Sequence, residues 1–243
     1  MESTKYVIFF ILGLTAAVAV ALTGLREATS SQAKVNEDIF NKRAILSAVE
    51  PYLPDGQTVP ELSDEKVLEL FETMEQPVVD MDGNVIDGMK AQQIDMAKER
   101  KKPEAERRLP LYIFEQGDEK FYILSVRGNG LWDEIWGNIA LKSDLTTVAG
   151  AAFDHKGETP GLGAEIKDNP AFSTQFQGKK IYRDGEFVSI KVRKGGARDE
   201  TYEVDGISGA TVTADGVEEM LYRGISYYEP YLEKLKQQSM LVE

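Results

Sequence analysis

The residues best suited to chemistry in this chain are the seven from Asp205 to Thr211, which read D-G-I-S-G-A-T. The hydroxyl of Thr211 is a weak nucleophile, and it needs a base or a metal-held phosphate before it can form an ester. The segment supplies no such base, so a separate modifying enzyme would have to activate it. Gly209 and Ala210 have almost no side chain that could obstruct the approach of that enzyme, and glycine suits a tight exposed turn. The segment therefore indicates either an accessible acceptor hydroxyl or an ordinary surface turn before a helix.

A helix is expected directly after this turn. Five side chains recur at helical spacing: Val217, Met220, Leu221, Ile225 and Tyr228. Thr213 or Asp215 is the predicted cap, and Glu218 follows Asp215 by three residues, as in a capping box. A phosphate on Thr211 would then lie near a helix N-terminus, where backbone donors and the helix dipole favour negative charge.

Two further glycine-rich segments precede the acceptor segment. Residues Gly157–Gly163 read G-E-T-P-G-L-G, which predicts a rigid loop whose backbone can approach a flat ring and donate N–H groups to it. Residues Gly128–Trp132 read G-N-G-L-W, and the tryptophan is predicted either to pack near such a ring or to lie in the core. Plain connections between strands are the alternative for both segments.

In this order the three segments resemble those of the NqrC family, the C-type subunits of the Na+-translocating NADH:quinone reductase, which carry FMN covalently. The G-type component of the Rnf electron-transfer complex is a relative with the same S-G-A-T signature and a single membrane anchor. The resemblance covers the N-terminus and roughly residues 110–230, and the length of 243 residues favours the NqrC family over the shorter Rnf protein.

The resemblance implies that FMN is held on Thr211 through a phosphoester. Ser208, Gly209 and Ala210 would shape the attachment turn, and Asp205 would guide the flavin transferase that modifies the protein. The remaining cofactor-binding residues implied by the resemblance are Leu131, Trp132, Glu158, Thr159, Gly161, Leu162 and Gly163.

The function implied is that of an electron-transfer subunit in a membrane NADH:quinone oxidoreductase that couples electron flow to Na+ translocation. Its partners would be the other subunits of that complex. No G-x-G-x-x-G follows a strand and no G-K-[ST] loop occurs, so we expect NADH to bind elsewhere. The alternatives are an Rnf-type component, an anchored flavin sensor or assembly module, and an unmodified scaffold.

Composition excludes several other classes of function. The net charge of −13 argues against a nucleic-acid partner, because phosphates would be repelled. The absence of cysteine excludes thiol catalysis and cysteine-ligated clusters. His155 is the only histidine, so no histidine-based metal site is predicted. A lone histidine is more often structural or solvated than catalytic, and no catalytic residue is assigned in this chain.

An uncharged apolar run from Tyr6 to Leu25 predicts a transmembrane helix in contact with lipid through residues 6–25. Twenty helical residues span about 30 Å, the thickness of the hydrocarbon core. A signal peptide cleaved near Ala19-Val20-Ala21 is the alternative. Positive charge concentrated after the run favours a cytoplasmic domain, whereas the resemblance implies a single-pass protein of the bacterial inner membrane with its flavin domain on the periplasmic side.

The predicted fold class is α+β, with helices packed on a mostly antiparallel sheet. The expected divisions are residues 1–28 for the cytoplasmic tip and transmembrane helix, 29–109 for a helical or irregular membrane-proximal region, and 110–243 for the FMN-binding domain. Four local elements are also predicted: a helix over 32–49, a hairpin over 111–126, a strand-like stretch over 139–153, and strands over 181–192 that turn at Asp184-Gly185.

Overall fold

The structure is a computed structural model that describes residues 2–240. Its residues form two compact units, 2–41 and 42–240. The helices are α1 Glu2–Leu46, α2 Asp64–Thr73, α3 Met96–Glu99, α4 Glu165–Asp168, α5 Pro170–Thr174, α6 Thr211–Ser226 and α7 Glu229–Met240. The strands are β1 Val78–Val79, β2 Leu109–Gln116, β3 Glu119–Asn129, β4 Glu134–Leu141, β5 Val148–His155, β6 Tyr182–Arg183, β7 Glu186–Phe187, β8 Lys191–Arg193 and β9 Glu203–Asp205.

The first unit, residues 2–41, lies entirely within α1. Within residues 2–240, α1 belongs to the only helical stretch long and apolar enough to cross a membrane by length and composition, a criterion that an N-terminal signal sequence also meets. The separate helix predicted over 32–49 is instead the continuation of α1 to Leu46, followed by a 3-10 segment over Ser47–Tyr52. No helix-breaking proline lies between the apolar run and Leu46, so the helix continues.

The second unit is built on a five-stranded sheet in the order β1-β2-β3-β4-β5, in which every neighbouring pair is antiparallel. This confirms the α+β class with a mostly antiparallel sheet. The predicted hairpin is β2–β3, with Phe114 opposite Phe121, and the turn at Asp184-Gly185 joins β6 to β7. A parallel pair, β8–β9, completes the strands of the described residues.

The stretch 139–153 is two strands rather than one. The Asp144 carboxylate accepts hydrogen bonds from the backbone N–H groups of Thr146 and Thr147 at 2.9 and 2.8 Å. These bonds stabilise a turn between β4 and β5. The polar run K-S-D at residues 142–144 is the local signal for that turn.

Both faces of the sheet are covered. On one face Leu124 and Val126 join the core beneath α6. On the opposite face the Phe121 ring lies 4.3 Å, centroid to centroid, from the ring of Tyr52. Because both faces of the sheet are buried, the sequence of β2 is a nearly continuous run of apolar residues and does not alternate between apolar and polar ones.

Helix α6 packs directly on β3 through glycines. A Cβ added to Gly216 would overlap the carbonyl oxygen of Asn129, and one added to Gly224 would lie 2.6 Å from Cγ1 of Val126. The helix therefore runs antiparallel to β3. Its first turn lies beside the loop that follows β3, which brings the D-G-I-S-G-A-T segment to that end of the sheet.

The predicted cap of α6 is wrong, and Tyr228 lies just past the end of the helix at Ser226, although all five predicted apolar positions are buried. The helix begins at Thr211, and Ala210 at the N-cap position makes no side-chain hydrogen bond. The Thr213 hydroxyl instead donates to Glu158, and the Glu218 carboxylate accepts from the backbone N–H of Val192 at 2.8 Å. Tertiary partners thus replace the local capping box that the spacing favours.

Candidate functional site

The three segments singled out in the sequence meet at one end of the sheet. They form the loops 130–133 between β3 and β4, 156–164 between β5 and α4, and 206–210 between β9 and α6. The first two loops are joined by the indole N–H of Trp132, which donates to the hydroxyl of Thr159 at 3.1 Å.

The third loop touches the second at Gly209. A Cβ on Gly209 would lie 2.8 Å from Cδ2 of Leu162, and the φ of Gly209 is +77°, a conformation that favours glycine. Gly161 and Ser208 both line an open cavity of about 460 Å³ between these loops and α5. The structure therefore brings the attachment segment and the E-T-P-G-L-G segment into contact.

An exposed apolar surface surrounds this meeting point. Trp132 is 69% exposed, so the alternative that it lies in the core is wrong. Three other large apolar side chains in or directly after the three segments are also exposed: Leu131, Leu162 and Val212. Large apolar side chains exposed on segments that meet are typical of a binding surface.

The motif and its continuation carry three hydroxyl groups that differ sharply in environment. Ser208 is exposed, and Thr211, the first residue of α6, is half-buried. Thr213 is only 1% exposed, and its hydroxyl donates a 2.6 Å hydrogen bond to Glu158 Oε2. Of the two helical threonines, only Thr211 has a side chain with appreciable access to solvent.

Glu158 is the one buried charged group of the E-T-P-G-L-G segment, at 5% exposure. Its Oε1 accepts the backbone N–H of Trp132 at 2.9 Å, and Oε2 accepts the Thr213 hydroxyl. Burial alone raises the pKa of Glu158, but these hydrogen bonds outweigh it, so its pKa lies below the usual glutamate value. The backbone N–H of Glu158 donates to Nδ1 of His155 at 3.2 Å, which gives the single histidine a structural role.

Asp205 is exposed at the end of β9, before the attachment turn. Its Oδ1 accepts the backbone N–H of Ala197 at 2.7 Å, and its own N–H donates to the Gln175 side chain at 2.7 Å. These bonds fix the start of the turn and leave the carboxylate at the surface.

Two members of this site are missed by the sequence analysis. Thr213 is expected there to cap α6, yet its partner Glu158 lies 55 positions away in the chain. Gly130 is noted only as part of a motif, yet a Cβ there would lie 2.5 Å from Glu158 Oε1. The sequence carries no spacing signal for either contact, because both depend on how the strands pair.

The FMN-binding domain family matches residues 130–226, from the loop after β3 to the end of α6, and this range contains all three loops of the site. The match indicates a flavin-binding class of protein. The C-type subunit of the Na+-translocating NADH-quinone reductase (NqrC) of Vibrio anguillarum is 34% identical, over 97% of this chain and 96% of its own length. The chain belongs to this NqrC family, which confirms the resemblance seen in the motifs. It is thus a subunit of the translocating reductase.

Solved structures agree with this assignment. The crystal structure of the corresponding NqrC protein from Parabacteroides distasonis superposes with a TM-score of 0.72 and 35% identity, covering 84% of this chain and 96% of that one. The Shewanella oneidensis NqrC structure, at 22% identity and a TM-score of 0.68, supports the fold alone and covers 83% of this chain and 99% of that one.

Proposed function

We propose that this chain carries FMN covalently on Thr211 and serves as an electron-transfer subunit of the Na+-translocating NADH-quinone reductase. The observation that carries the proposal is the difference in solvent exposure between the two threonines of α6, Thr211 and Thr213. Thr211 opens α6 beside the exposed apolar surface, whereas the Thr213 hydroxyl is buried on Glu158. Membership of the NqrC family supports the assignment to the reductase complex.

The residues at this site fit FMN. Trp132 and Leu162 offer exposed apolar side chains to a flat ring, and Leu131 beside Trp132 and Val212 beside Thr211 in the chain are exposed as well. Ala210 provides no side-chain cap, so the first N–H groups of α6 are available to a phosphate on Thr211. We further propose that Ser208, Gly209 and Ala210 shape the attachment turn.

The E-T-P-G-L-G loop supplies the rest of the proposed flavin surface. Its exposed residues Thr159, Gly161 and Leu162 would contact the cofactor directly. Gly163 is buried against Glu158 and Thr213, so its contribution is to let these segments pack closely. Glu158 contributes in the same way, through its carboxylate.

The attachment reaction needs an activated flavin phosphate, an ester or anhydride that carries a leaving group. The Thr211 oxygen attacks the phosphorus, the new Oγ–P bond forms, and the bond from phosphorus to the leaving group breaks. The hydroxyl proton passes through a base of the flavin transferase to the leaving group, and no oxidation state changes. We propose that the flavin transferase recognises the exposed side chain of Asp205.

Bound FMN supplies one- and two-electron chemistry, and covalent attachment keeps it in place in every redox state. The chain's contribution is an open site that neighbouring subunits of the complex can approach. We propose that residues 6–25 contact lipid, in keeping with the apolar α1 of a single-pass inner-membrane subunit. We also propose that the flavin domain lies on the periplasmic side.

Intact mass and peptide mapping of protein from its native membrane test the attachment. We expect an added mass equal to FMN less one water, located on Thr211. Thr211→Val should abolish the addition because it removes the hydroxyl, and Thr211→Ser should retain it. The control Ser226→Ala, which removes a hydroxyl at the far end of α6, should still carry it. An unmodified Thr211 in a host with the flavin transferase would overturn the proposal.

A further inference from the structure

We infer that Glu158 is a positioning residue of the attachment site. Its carboxylate holds the loop after β3 and the first turn of α6 in the arrangement that presents Thr211 beside the exposed apolar surface. This inference rests on the proposed function and assigns Glu158 a role other than contact with the flavin.

The carboxylate of Glu158 bridges two distant segments with its two oxygens. Oε1 accepts the backbone N–H of Trp132, 26 positions away, at 2.9 Å. Oε2 accepts the hydroxyl of Thr213, 55 positions away, at 2.6 Å. Hydrogen bonds to a charged acceptor are stronger than neutral ones, and here they lie away from bulk water. The bridge therefore ties the two segments to a single side chain.

Two motif glycines make room for this carboxylate. A Cβ on Gly130 would lie 2.5 Å from Oε1, and a Cβ on Gly163 would overlap Oε2. Neither glycine has a left-handed φ, so space rather than backbone conformation requires glycine there. Gly130, Glu158, Gly163 and Thr213 thus act as one unit.

The bridge fixes the rotation of the first turn of α6. Successive helical residues are rotated by about 100°, so Thr211 and Thr213 lie on nearly opposite sides of the helix. With Thr213 held inward on Glu158, Thr211 is turned outward. Release of Thr213 would free the turn and let Thr211 lose the orientation that a modifying enzyme must meet.

The experiment compares the full-length chain with four single variants and with the double variant that combines Glu158→Gln and Thr213→Val. Glu158→Gln keeps the shape but replaces one acceptor oxygen by a donor, which would face either the Trp132 N–H or the Thr213 hydroxyl. Thr213→Val removes only the hydroxyl, and Thr213→Ser keeps it. Glu219→Gln is the matched control, because Glu219 is an exposed glutamate on α6 that pairs with Arg223.

The first readout is the rate at which the flavin transferase attaches FMN to Thr211. We expect Glu158→Gln and Thr213→Val each to slow attachment by about tenfold or more. The double variant should be no slower than the slower single variant, because both remove the same bridge. Thr213→Ser and Glu219→Gln should react at the wild-type rate. The visible circular dichroism of the attached flavin should change in the first two variants only.

The second readout needs no flavin and separates the outcomes. Amide hydrogen exchange of the peptide containing Trp132 should accelerate in unmodified Glu158→Gln and stay unchanged in Glu219→Gln. If Glu158→Gln is modified at the wild-type rate with unchanged exchange, the positioning role is overturned and the proposed function stands. If wild-type Thr211 never receives FMN, the proposed function and the positioning role both fail. Should Glu158→Gln not fold, the Thr213→Val and Thr213→Ser pair decides the question.

Discussion

At the scale of single residues, two buried glutamates stabilise the elements on either side of the attachment segment, β9 before it and α6 after it. Glu158 joins the loop after β3 to α6. Glu203 in β9 binds the Arg193 guanidinium at 2.7 Å and accepts the backbone N–H of Arg198 at 2.9 Å. Each carboxylate accepts hydrogen bonds from two other parts of the chain, and buried charges persist in folded proteins when they are paired in this way. Both glutamates therefore stabilise the local structure around the site.

Acidification is expected to loosen the segment between β8 and β9. The backbone N–H of Arg198 and the Arg193 guanidinium lower the pKa of Glu203 to about 2. A lowered pKa means that the contribution of Glu203 to stability is fully present above the ordinary glutamate pKa of about 4.3. That contribution is lost as the pH falls through the folded-state value. Between these pH values, the unfolding temperature of the wild type should fall more steeply than that of Glu203→Gln.

Thermal unfolding of the full chain in detergent, followed by far-UV circular dichroism at a series of acidic pH values, measures this difference. Glu219→Gln serves as the control for removal of an exposed carboxylate. Parallel pH dependences for the wild type and Glu203→Gln would contradict the prediction.

At the scale of elements, the position of Thr211 depends on how α6 lies on β3. Gly216 and Gly224 on the helix and Gly128 on the strand leave no room for a Cβ, so the two elements approach closely. Close packing transmits small displacements, because protein interiors have few voids. A change in the middle of α6 therefore reaches the attachment turn at its start.

Gly216→Ala is expected to destabilise the protein, even though alanine is the better helix former by about 1 kcal/mol. The new Cβ would overlap the carbonyl oxygen of Asn129, a backbone atom that cannot rotate away. Overpacking typically costs roughly 1–3 kcal/mol. Overlap with a fixed backbone atom places this case in the upper part of that range, above the gain in helix propensity. Chemical denaturation should give a lower free energy of unfolding.

Gly157→Ala is the matched control for this substitution, because a Cβ there meets nothing within 4 Å. We expect it to be neutral or slightly stabilising. Equal stability of the two alanine variants would show that α6 can shift on β3 without cost.

The parts of this site that could be predicted from the sequence are the local ones. The acceptor motif, the helix directly after it and the buried positions Val217 and Met220 follow from residue type and spacing. The predicted start of α6 is wrong because Thr213 hydrogen-bonds to a residue from another loop instead of capping the helix. The role of Glu158 could not be predicted, because a hydrogen bond between distant segments leaves no periodic pattern in the chain. Trp132 is assigned to the site by resemblance, and only the fold distinguishes its exposed position from a core one.

At the scale of the whole molecule, the distribution of charge favours the opposite orientation to the one that we propose. Lys5 precedes the apolar run, whereas Arg26, Lys34, Lys42 and Arg43 follow it. The excess of positive charge after the run favours a cytoplasmic domain. Large domains cross membranes largely regardless of charge, however, and this chain continues for more than 200 residues beyond the run. We therefore maintain the proposal of a periplasmic flavin domain, and cysteine labelling offers a direct test of it.

The chain contains no cysteine, so a single introduced thiol reports its own side of the membrane without background. Thr4→Cys lies before the apolar run, and Gln177→Cys lies at an exposed position after α5. In cells with a permeable outer envelope, a membrane-impermeant maleimide should label Gln177→Cys at once. It should label Thr4→Cys only after the inner membrane is opened, and the cysteine-free chain should take no label.

The reverse pattern would put the flavin domain in the cytoplasm. Loss of the Thr4→Cys peptide from the mature chain would instead indicate a signal peptide cleaved within the apolar run, near Ala19-Val20-Ala21, so the same pair of variants decides both the anchor and its direction.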